Sequence, residues 1–277
     1  MAATLPVKKL YFDSRFKTKG SVSNSQCKFE LSESISLPNN CVCYIDDVII
    51  PHSFFTVGGY SNKLYFRKLL TNGSQVDKII TLPVQNHTGV TIAAAIKSGL
   101  DAAYGSTEFT CVYNERKGTL TIALNTSGET FLIFSDDDLE DNVYGSWTGP
   151  SYDVNNPKSA HEVFRISGLA IEMTVYESGF LDLRNVHNIY ITSPNLGHFT
   201  SIGPRGERNI VKKVPVSADF GYVIYDSVVS SHDYIDVGKS FLRTIELNLR
   251  DVHGNIINLH NANWSCSIIF STLKEDI

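Results

Sequence analysis

The sequence predicts a mainly β protein, and the first reason is a C-terminal run of alternating apolar and polar residues. Ile245, Leu247 and Leu249 alternate with polar neighbours, which is the period of a half-buried strand. A turn rich in Asp, Gly and Asn follows, and the pattern then predicts two more strands, at about 257–259 and 264–270. A chain that ends in antiparallel strands, with no catalytic pattern among them, suggests a role in assembly or recognition.

The N-terminal region gives the second reason. Leu10, Phe12 and Phe16 alternate with polar residues, and residues 27–31 repeat this pattern after a Gly/Ser/Asn loop. Residues 41–50 are apolar on both faces, which predicts a central strand.

The third reason is that the chain contains one convincing helix among many short strand patterns. Asn72-Gly73 predicts a tight β-hairpin. The helix is predicted to begin at Thr91 as its cap and to end at Gly105, and another hairpin spans 109–124. Many short strands, few helices and long crossing loops favour a single jelly-roll β-sandwich with a small α+β (ββαββ) insertion over a meander barrel.

Composition patterns divide the chain into three parts. Residues 1–58 and 160–277 are predicted to form the jelly-roll core, and residues 60–135 the inserted α+β module. Residues 136–159, acidic at first and then rich in Gly, Asn and Pro, are predicted to be a linking loop.

Composition excludes several classes of function. A net charge of -5 argues against a dedicated nucleic-acid-binding protein. No apolar run is long enough to span a membrane, and the N-terminus lacks a signal-peptide pattern. Five cysteines without CxxC spacing suggest reduced, mostly buried thiols. Together these features predict a chain that is made in the cytoplasm or nucleus and is not secreted.

The acidic run at 136–141 is a weak candidate for a metal site. Asp136, Asp138 and Glu140 could hold a divalent cation, but the run lacks the glycine and the terminal glutamate of an EF-hand loop. The alternative is a solvated acidic loop, extended by charge repulsion.

No motif predicts catalysis or a cofactor. Gly238-Lys239-Ser240 resembles a phosphate-binding loop only superficially, because Asp233 stands where the upstream glycine is required. His232 and Asp233 form an adjacent pair without a placed nucleophile. An enzyme therefore remains a rival that would need a pocket where such residues converge.

The most cationic stretch, 203–213, is the candidate partner-binding segment. It carries Arg205, Arg208, Lys212 and Lys213. One interpretation is a solvated loop between strands. The other is contact with an acidic partner or with packaged nucleic acid, because arginine suits carboxylate and phosphate groups.

Aromatic residues in loops leave another function open. Trp147 and Tyr152 could serve as stacking platforms in a carbohydrate- or receptor-binding β-sandwich. The simplest interpretation is that these aromatics cap the sandwich core. Exposed aromatics are also enriched in subunit interfaces, so they give some support to oligomerisation.

The order of several short motifs resembles the penton (minor capsid) proteins of Maverick/Polinton-type elements, virophages and related double-jelly-roll DNA viruses. The N-terminal motifs are YFDSRFKTKGS, CKFELSESISLP and YIDDVIIPHSFF, and the central ones are NKLYF and FTCVYNERKGTLTIAL. The C-terminal motifs are NIYITSPNL, IGPRGE, DYIDV, LRTIELNLRDVHGNIINL and WSCSIIF. The resemblance covers nearly the whole chain, through short and degenerate pieces in a constant order.

This resemblance implies a jelly roll whose five copies close the five-fold vertices of an icosahedral shell, next to a double-jelly-roll major capsid protein. The implied location is the virion, the implied partners are further copies of the chain and the major capsid protein, and no cofactor is implied. Non-specific contact with the genome is a further option. Arg205-Gly206-Glu207 differs from an Arg-Gly-Asp integrin motif, so receptor binding through that tripeptide is not implied.

Overall fold

The computed structural model describes residues 8–59, 61–135, 138, 147–149, 171–184, 186–196, 202–230 and 233–272. The chain forms two compact units. The first unit contains Met1–Phe54 and Val186–Ile277, and the second contains Phe55–Asn185.

The first unit is a sandwich of antiparallel strands. Its described strands are β1 (Lys8–Asp13), β2 (Gln26–Ser36), β3 (Cys41–Pro51), β10 (Asn188–Thr192), β11 (Ile210–Pro215), β12 (Val223–Asp226), β13 (Ile235–Asp236), β14 (Phe241–Arg250) and β15 (Ser265–Thr272). The first sheet has the order β1-β15-β3-β12, with β13 also paired to β3, and the second sheet has the order β11-β10-β14-β2.

This strand order is that of a jelly roll. Apart from β13, strands that are consecutive in the chain mostly lie in different sheets, and the first and last strands, β1 and β15, are paired side by side. The predicted fold class is therefore confirmed: the protein is mainly β, with a single jelly roll and an α+β insertion between β3 and β10.

The two sheets of the first unit share one core. Ile50 and Ile268 from the first sheet, and Ile189 and Ile245 from the second, are fully buried in the same hydrophobic cluster. Alternation places these residues inside and their sequence neighbours outside, so each sheet has one buried face and one outer face.

The second unit combines one helix with two three-stranded sheets. Its elements are β4 (Lys63–Leu69), β5 (Gln75–Thr81), α1 (Gly89–Tyr104), β6 (Phe109–Asn114), β7 (Thr119–Leu124), β8 (Thr130–Phe134) and β9 (Val175–Glu177). The sheets have the orders β5-β4-β8 and β6-β7-β9. Helix α1 buries Ile92, Ile96 and Leu100 in a core that also contains Phe66 and Phe131. Among the described residues, no helix is long and apolar enough to cross a membrane.

The insertion is larger than its sequence pattern indicates. The predicted ββαββ module lacks β8 and β9, which add a third strand to each sheet by pairing with β4 and β7. Because β9 pairs with β7, residues 171–184 lie in the second unit, and the chain returns to the first unit at Val186 instead of at about residue 160. The sequence pattern at 164–176 also predicts a strand, and residues 164–170 of it lie outside the described residues.

Local hydrogen bonding corrects two element boundaries. Helix α1 is capped by Thr88 instead of Thr91, because the two threonines form a reciprocal capping box. Thr91 N donates to Thr88 Oγ1 at 3.2 Å, and Thr88 N donates to Thr91 Oγ1 at 2.8 Å. The helix ends at Gly105 as predicted, with φ of 115°. Strand β1 stops at Asp13, whose carboxylate accepts from Arg15 N, so Phe16 lies in a 3-10 turn and is 79% exposed.

The segment after β14 is buried without being a strand. Ile257 and Leu259 belong to the core of the first unit, but pairing in this segment is limited to an isolated bridge between Arg250 and Ile256. The strand predicted at 257–259 is therefore wrong, although the inward direction of its apolar residues is right.

Candidate partner-binding surfaces

A tight loop precedes β11 and presents two exposed arginines. Gly206 has φ of 84°, a conformation that favours glycine, and Gly203 N donates to Glu207 O at 2.7 Å. The carboxylate of Glu207 accepts from Arg205 N at 2.9 Å, and the Arg205 guanidinium donates to His253 O. Arg205 and Arg208 are both exposed. The loop is thus held in one conformation and offers positive charge to solvent.

Lys212 points the other way, into the sandwich. It lies opposite Ile191 in the β10–β11 register, on the inner face of the second sheet, and it is 8% exposed. Its Nζ donates to Val228 O at 2.8 Å and to Ile45 O at 3.3 Å, and lies 3.6 Å from a carboxylate oxygen of Asp226. Ile45 adjoins a β-bulge in β3, where the register shifts. Lys212 therefore links the two sheets, and it does not belong to an exposed partner-binding surface.

Lys213 remains on the outer face of the second sheet. It lies opposite Tyr190, which in turn lies opposite Arg250 on β14, so the three side chains form a row across β11, β10 and β14. Arg250 donates to Gly254 O at 2.6 Å, in the same turn that holds Arg205 through His253. We call Arg205, Lys213 and Arg250 the basic patch.

The contrast between adjacent lysines gives a stability prediction. Replacing Lys212 by methionine is expected to lower the free energy of unfolding by about 2–4 kcal/mol, because the carboxylate of Asp226 and two carbonyls lose their partner. Replacing the exposed Lys213 by methionine should change it by at most about 0.5 kcal/mol. Urea denaturation of the two variants measures the difference, and equal effects would contradict the structural role of Lys212.

The outer face of the first sheet differs from the basic patch, because it carries exposed aromatic and apolar side chains. Several residues on this face are exposed although they are aromatic or apolar, among them Tyr11, Ile49, Val223 and Tyr225. Tyr44 stacks on Tyr234 at the same face, with ring centroids 4.9 Å apart. Asp46 and Asp47 lie on β3 between Tyr44 and Ile49. We call Tyr11, Ile49, Val223, Tyr225, Asp46 and Asp47 the tyrosine face.

Of the three candidate metal ligands in the acidic run, only Asp138 is among the described residues. Asp138 is 2% exposed, and its carboxylate accepts from Ser135 N at 2.9 Å and from Ser135 Oγ at 2.7 Å. Asp136 and Glu140 lie outside the described residues. In the part of the chain that the structure describes, no three His, Cys, Asp or Glu side chains are grouped as metal ligands. The cation site stays a prediction, and Asp138 already has a structural partner.

The cysteine thiols are poorly suited to nucleophilic chemistry. Burial raises the pKa of Cys27 to about 11 and the pKa of Cys43 and of Cys111 to about 12. Burial also raises the pKa of the fully enclosed Cys266. Thiolate is the reactive form of cysteine, so these groups stay unreactive at neutral pH.

The sequence motifs at Gly238 and Trp147 acquire structural explanations. A Cβ at Gly238 would lie 2.1 Å from Asn39 O, so glycine is needed there for close backbone approach. Trp147 is half-buried and packs edge-on against Tyr65 and Phe134, with centroid distances of 5.7 and 5.8 Å. Its ring therefore packs within the second unit. Tyr152 and His232, named above for glycan binding and catalysis, lie outside the described residues.

Comparison with known proteins supports a penton-like fold. No family model matches the sequence, and no curated protein matches it. The fold is similar to that of the mavirus penton protein, known from a crystal structure, with a TM-score of 0.53 and 10% sequence identity. The similarity covers 96% of this chain and 99% of the mavirus chain. At this identity the likeness establishes the fold alone.

Proposed function

We propose that this chain is a minor capsid (penton) protein that closes the five-fold vertices of an icosahedral virus-like shell. In this role, five copies form a ring by side-to-side contacts and dock on a double-jelly-roll major capsid protein. The observation that carries the proposal is the fold similarity to the mavirus penton protein along nearly the full length of both chains. The protein acts through surface complementarity and burial, without a chemical reaction.

The arrangement of the first unit supports this role. A jelly roll with one buried face per sheet leaves two outer faces available to neighbours, and heterologous contacts between different faces close rings. The exposed aromatic residues of the tyrosine face fit a subunit interface, where such residues are enriched. Permanent interfaces of this kind bury roughly 2,000 Å² or more.

The mass of the protein in solution tests the proposal. We expect the purified full chain, alone or together with a double-jelly-roll major capsid protein of the same genetic element, to form a species of five times the 30.7 kDa chain mass. Multi-angle light scattering and native mass spectrometry measure this mass, and electron microscopy locates the chain at vertices of co-assembled shells. A strictly monomeric protein that fails to join such shells would contradict the proposal.

The rival function, a carbohydrate- or receptor-binding module, makes a different prediction. A monomer that binds specific glycans on an array, with binding lost when Tyr152 is replaced by alanine, would favour the rival. The packing of Trp147 inside the second unit gives that rival no support from this residue.

A further inference from the structure

The tyrosine face departs from what an outer sheet face in water usually presents. Tyr11 is 77% exposed, Tyr225 60%, Val223 55% and Ile49 41%. The outer face of an antiparallel sheet that contacts only solvent normally carries polar residues. This face is therefore a candidate interface.

Strand register brings these residues into one continuous surface. Tyr225 lies opposite Ile49, and Ile49 lies opposite Ser265 on β15. In the next row, Tyr11 lies opposite Ser267. Because β15 presents small serines at these positions, the larger side chains of β1 lie on one side of it and those of β3 and β12 on the other. Ser267 is itself fully buried, so the exposed tyrosines form the accessible part of this surface.

The charge of this surface is negative. Lys9 Nζ lies 2.7 Å from a carboxylate oxygen of Asp46, and Asp47, which has no ion pair among the described residues, interacts electrostatically with the same ammonium. Two carboxylates thus share one lysine, which leaves net negative charge beside the exposed tyrosines.

The outer face of the second sheet has the opposite charge. Its ion pairs Lys28–Glu246 and Arg243–Glu30, with N to O distances of 3.1 and 3.0 Å, balance internally. Lys213 and Arg250 have no ion pair in the part of the chain that the structure describes, and they add positive charge to this face next to Arg205, whose loop also holds the carboxylate of Glu207.

We propose that the tyrosine face of one copy packs against the basic patch of the next copy, so that Asp47 faces Lys213 and Arg250. This inference rests on the proposed function and names the surfaces that close the ring. The two surfaces lie on opposite sides of the same sandwich, so the contact is heterologous and repeats around a closed ring. Complementary charge sets the register, and burial of the tyrosines supplies affinity.

A charge-swap cycle on the full chain tests the pairing. Asp47→Lys and Lys213→Glu each place like charges in the contact, and each should raise the ring dissociation constant roughly 100-fold. The double variant D47K/K213E restores opposite charges, and its dissociation constant should return to within about tenfold of the wild-type value. Sedimentation at several protein concentrations measures these constants, and circular dichroism checks the fold.

The apolar part of the surface has its own test. Tyr225→Ala should raise the ring dissociation constant at least about tenfold. Val112→Ala truncates a comparably exposed residue of the second unit and should leave the constant unchanged. Lys78→Glu and Glu115→Lys, both exposed on the second unit, are matched charge controls.

The outcomes separate this inference from the proposed function. Rings that persist in both single charge variants, or single effects that simply add in the double variant, would overturn the pairing while leaving the ring itself intact. The same holds if K213E weakens only binding to a DNA duplex, because the basic patch would then be a genome contact. A wild-type chain that never forms rings, alone or with major capsid protein, would overturn both.

Discussion

Replacing Arg67 by methionine is expected to lower the free energy of unfolding by about 3–5 kcal/mol. Arg67 Nε and Nη2 donate to the two carboxylate oxygens of Asp77 at 2.7 and 2.9 Å, and the two side chains are only 3% and 0% exposed. Asp77 also accepts from Thr148 N at 2.7 Å and Thr148 Oγ1 at 3.0 Å. Without the guanidinium, the buried carboxylate of Asp77 keeps only the two hydrogen bonds from Thr148, and its charge is left without a counter-ion.

The same pair predicts how stability depends on pH. Burial by itself would raise the pKa of Asp77, but hydrogen bonds from Arg67 and Thr148 hold the pKa below its ordinary value. A lowered folded-state pKa means that the pair contributes fully above about pH 4 and loses its contribution as the pH falls through the folded pKa. The difference in unfolding free energy between wild type and Asp77→Asn should therefore be constant near neutrality and shrink in acid.

An exposed ion pair in the same unit serves as the control. Lys117 Nζ lies 2.9 Å from Glu177 Oε1, but the two side chains are 61% and 47% exposed. Lys117→Met should cost at most about 1 kcal/mol. Denaturant titrations of the full chain measure both variants, and similar losses for R67M and K117M would show that burial of the Arg67–Asp77 pair has no special weight.

Replacing Trp264 by alanine is expected to cost about 3–5 kcal/mol, the usual range for a buried tryptophan. Trp264 is 2% exposed in the core of the first unit. Its indole N–H donates to Asn24 O at 2.6 Å, its backbone N donates to Ser14 Oγ at 3.1 Å, and Ser14 N donates to Trp264 O at 2.9 Å. Trp264 therefore connects Ser14 and Asn24, which lie between β1 and β2, to the start of the last strand, β15.

A second substitution at this position separates the two contributions. Trp264→Phe keeps most of the apolar volume but leaves Asn24 O without the indole donor, so about 1–2 kcal/mol should be lost. Hydrogen exchange near Asn24 should also speed up in both variants. Thermal unfolding measures the stability of the variants. Equal stability of the wild type, W264F and W264A would contradict the proposed connection of Asn24 and Ser14 to β15 through Trp264.

Elements specified by neighbouring residues were predictable from the sequence. The Asn72-Gly73 turn joins β4 to β5 as expected, and Gly73 has the positive φ, 78°, that such a turn requires. Strand β3 lies inside its sheet, between β15 and β12, as its apolar pattern predicts. Turn chemistry and periodicity act over a few residues, so the sequence reveals them directly.

Other features depended on partners that are distant in the chain. Lys212 looks like part of a basic surface, but its inward direction depends on the register with β10 and on carbonyls at Ile45 and Val228. The pairing of β9 with β7 moved the boundary of the insertion to Val186. Such pairings are set by packing across long separations, which local pattern does not encode.

The two candidate surfaces also differ in how far the sequence alone identifies their residues. Arg205 and Lys213 were identified from charge alone, whereas Arg250 joined them only through strand pairing across β10. The tyrosine face left no motif, because Tyr11, Ile49 and Tyr225 are distant in sequence and meet only when β1, β3 and β12 enter one sheet.

The sequence by itself determined that this protein is a mainly β jelly roll with one helical insertion, because strand alternation, turn residues and helical periodicity are local physical signals. The tertiary structure decided which charged residues face solvent, which tie the sheets together, and where the insertion ends. Those outcomes follow from sheet register and from the cost of burying an unpaired polar group, and both are settled only when distant segments meet.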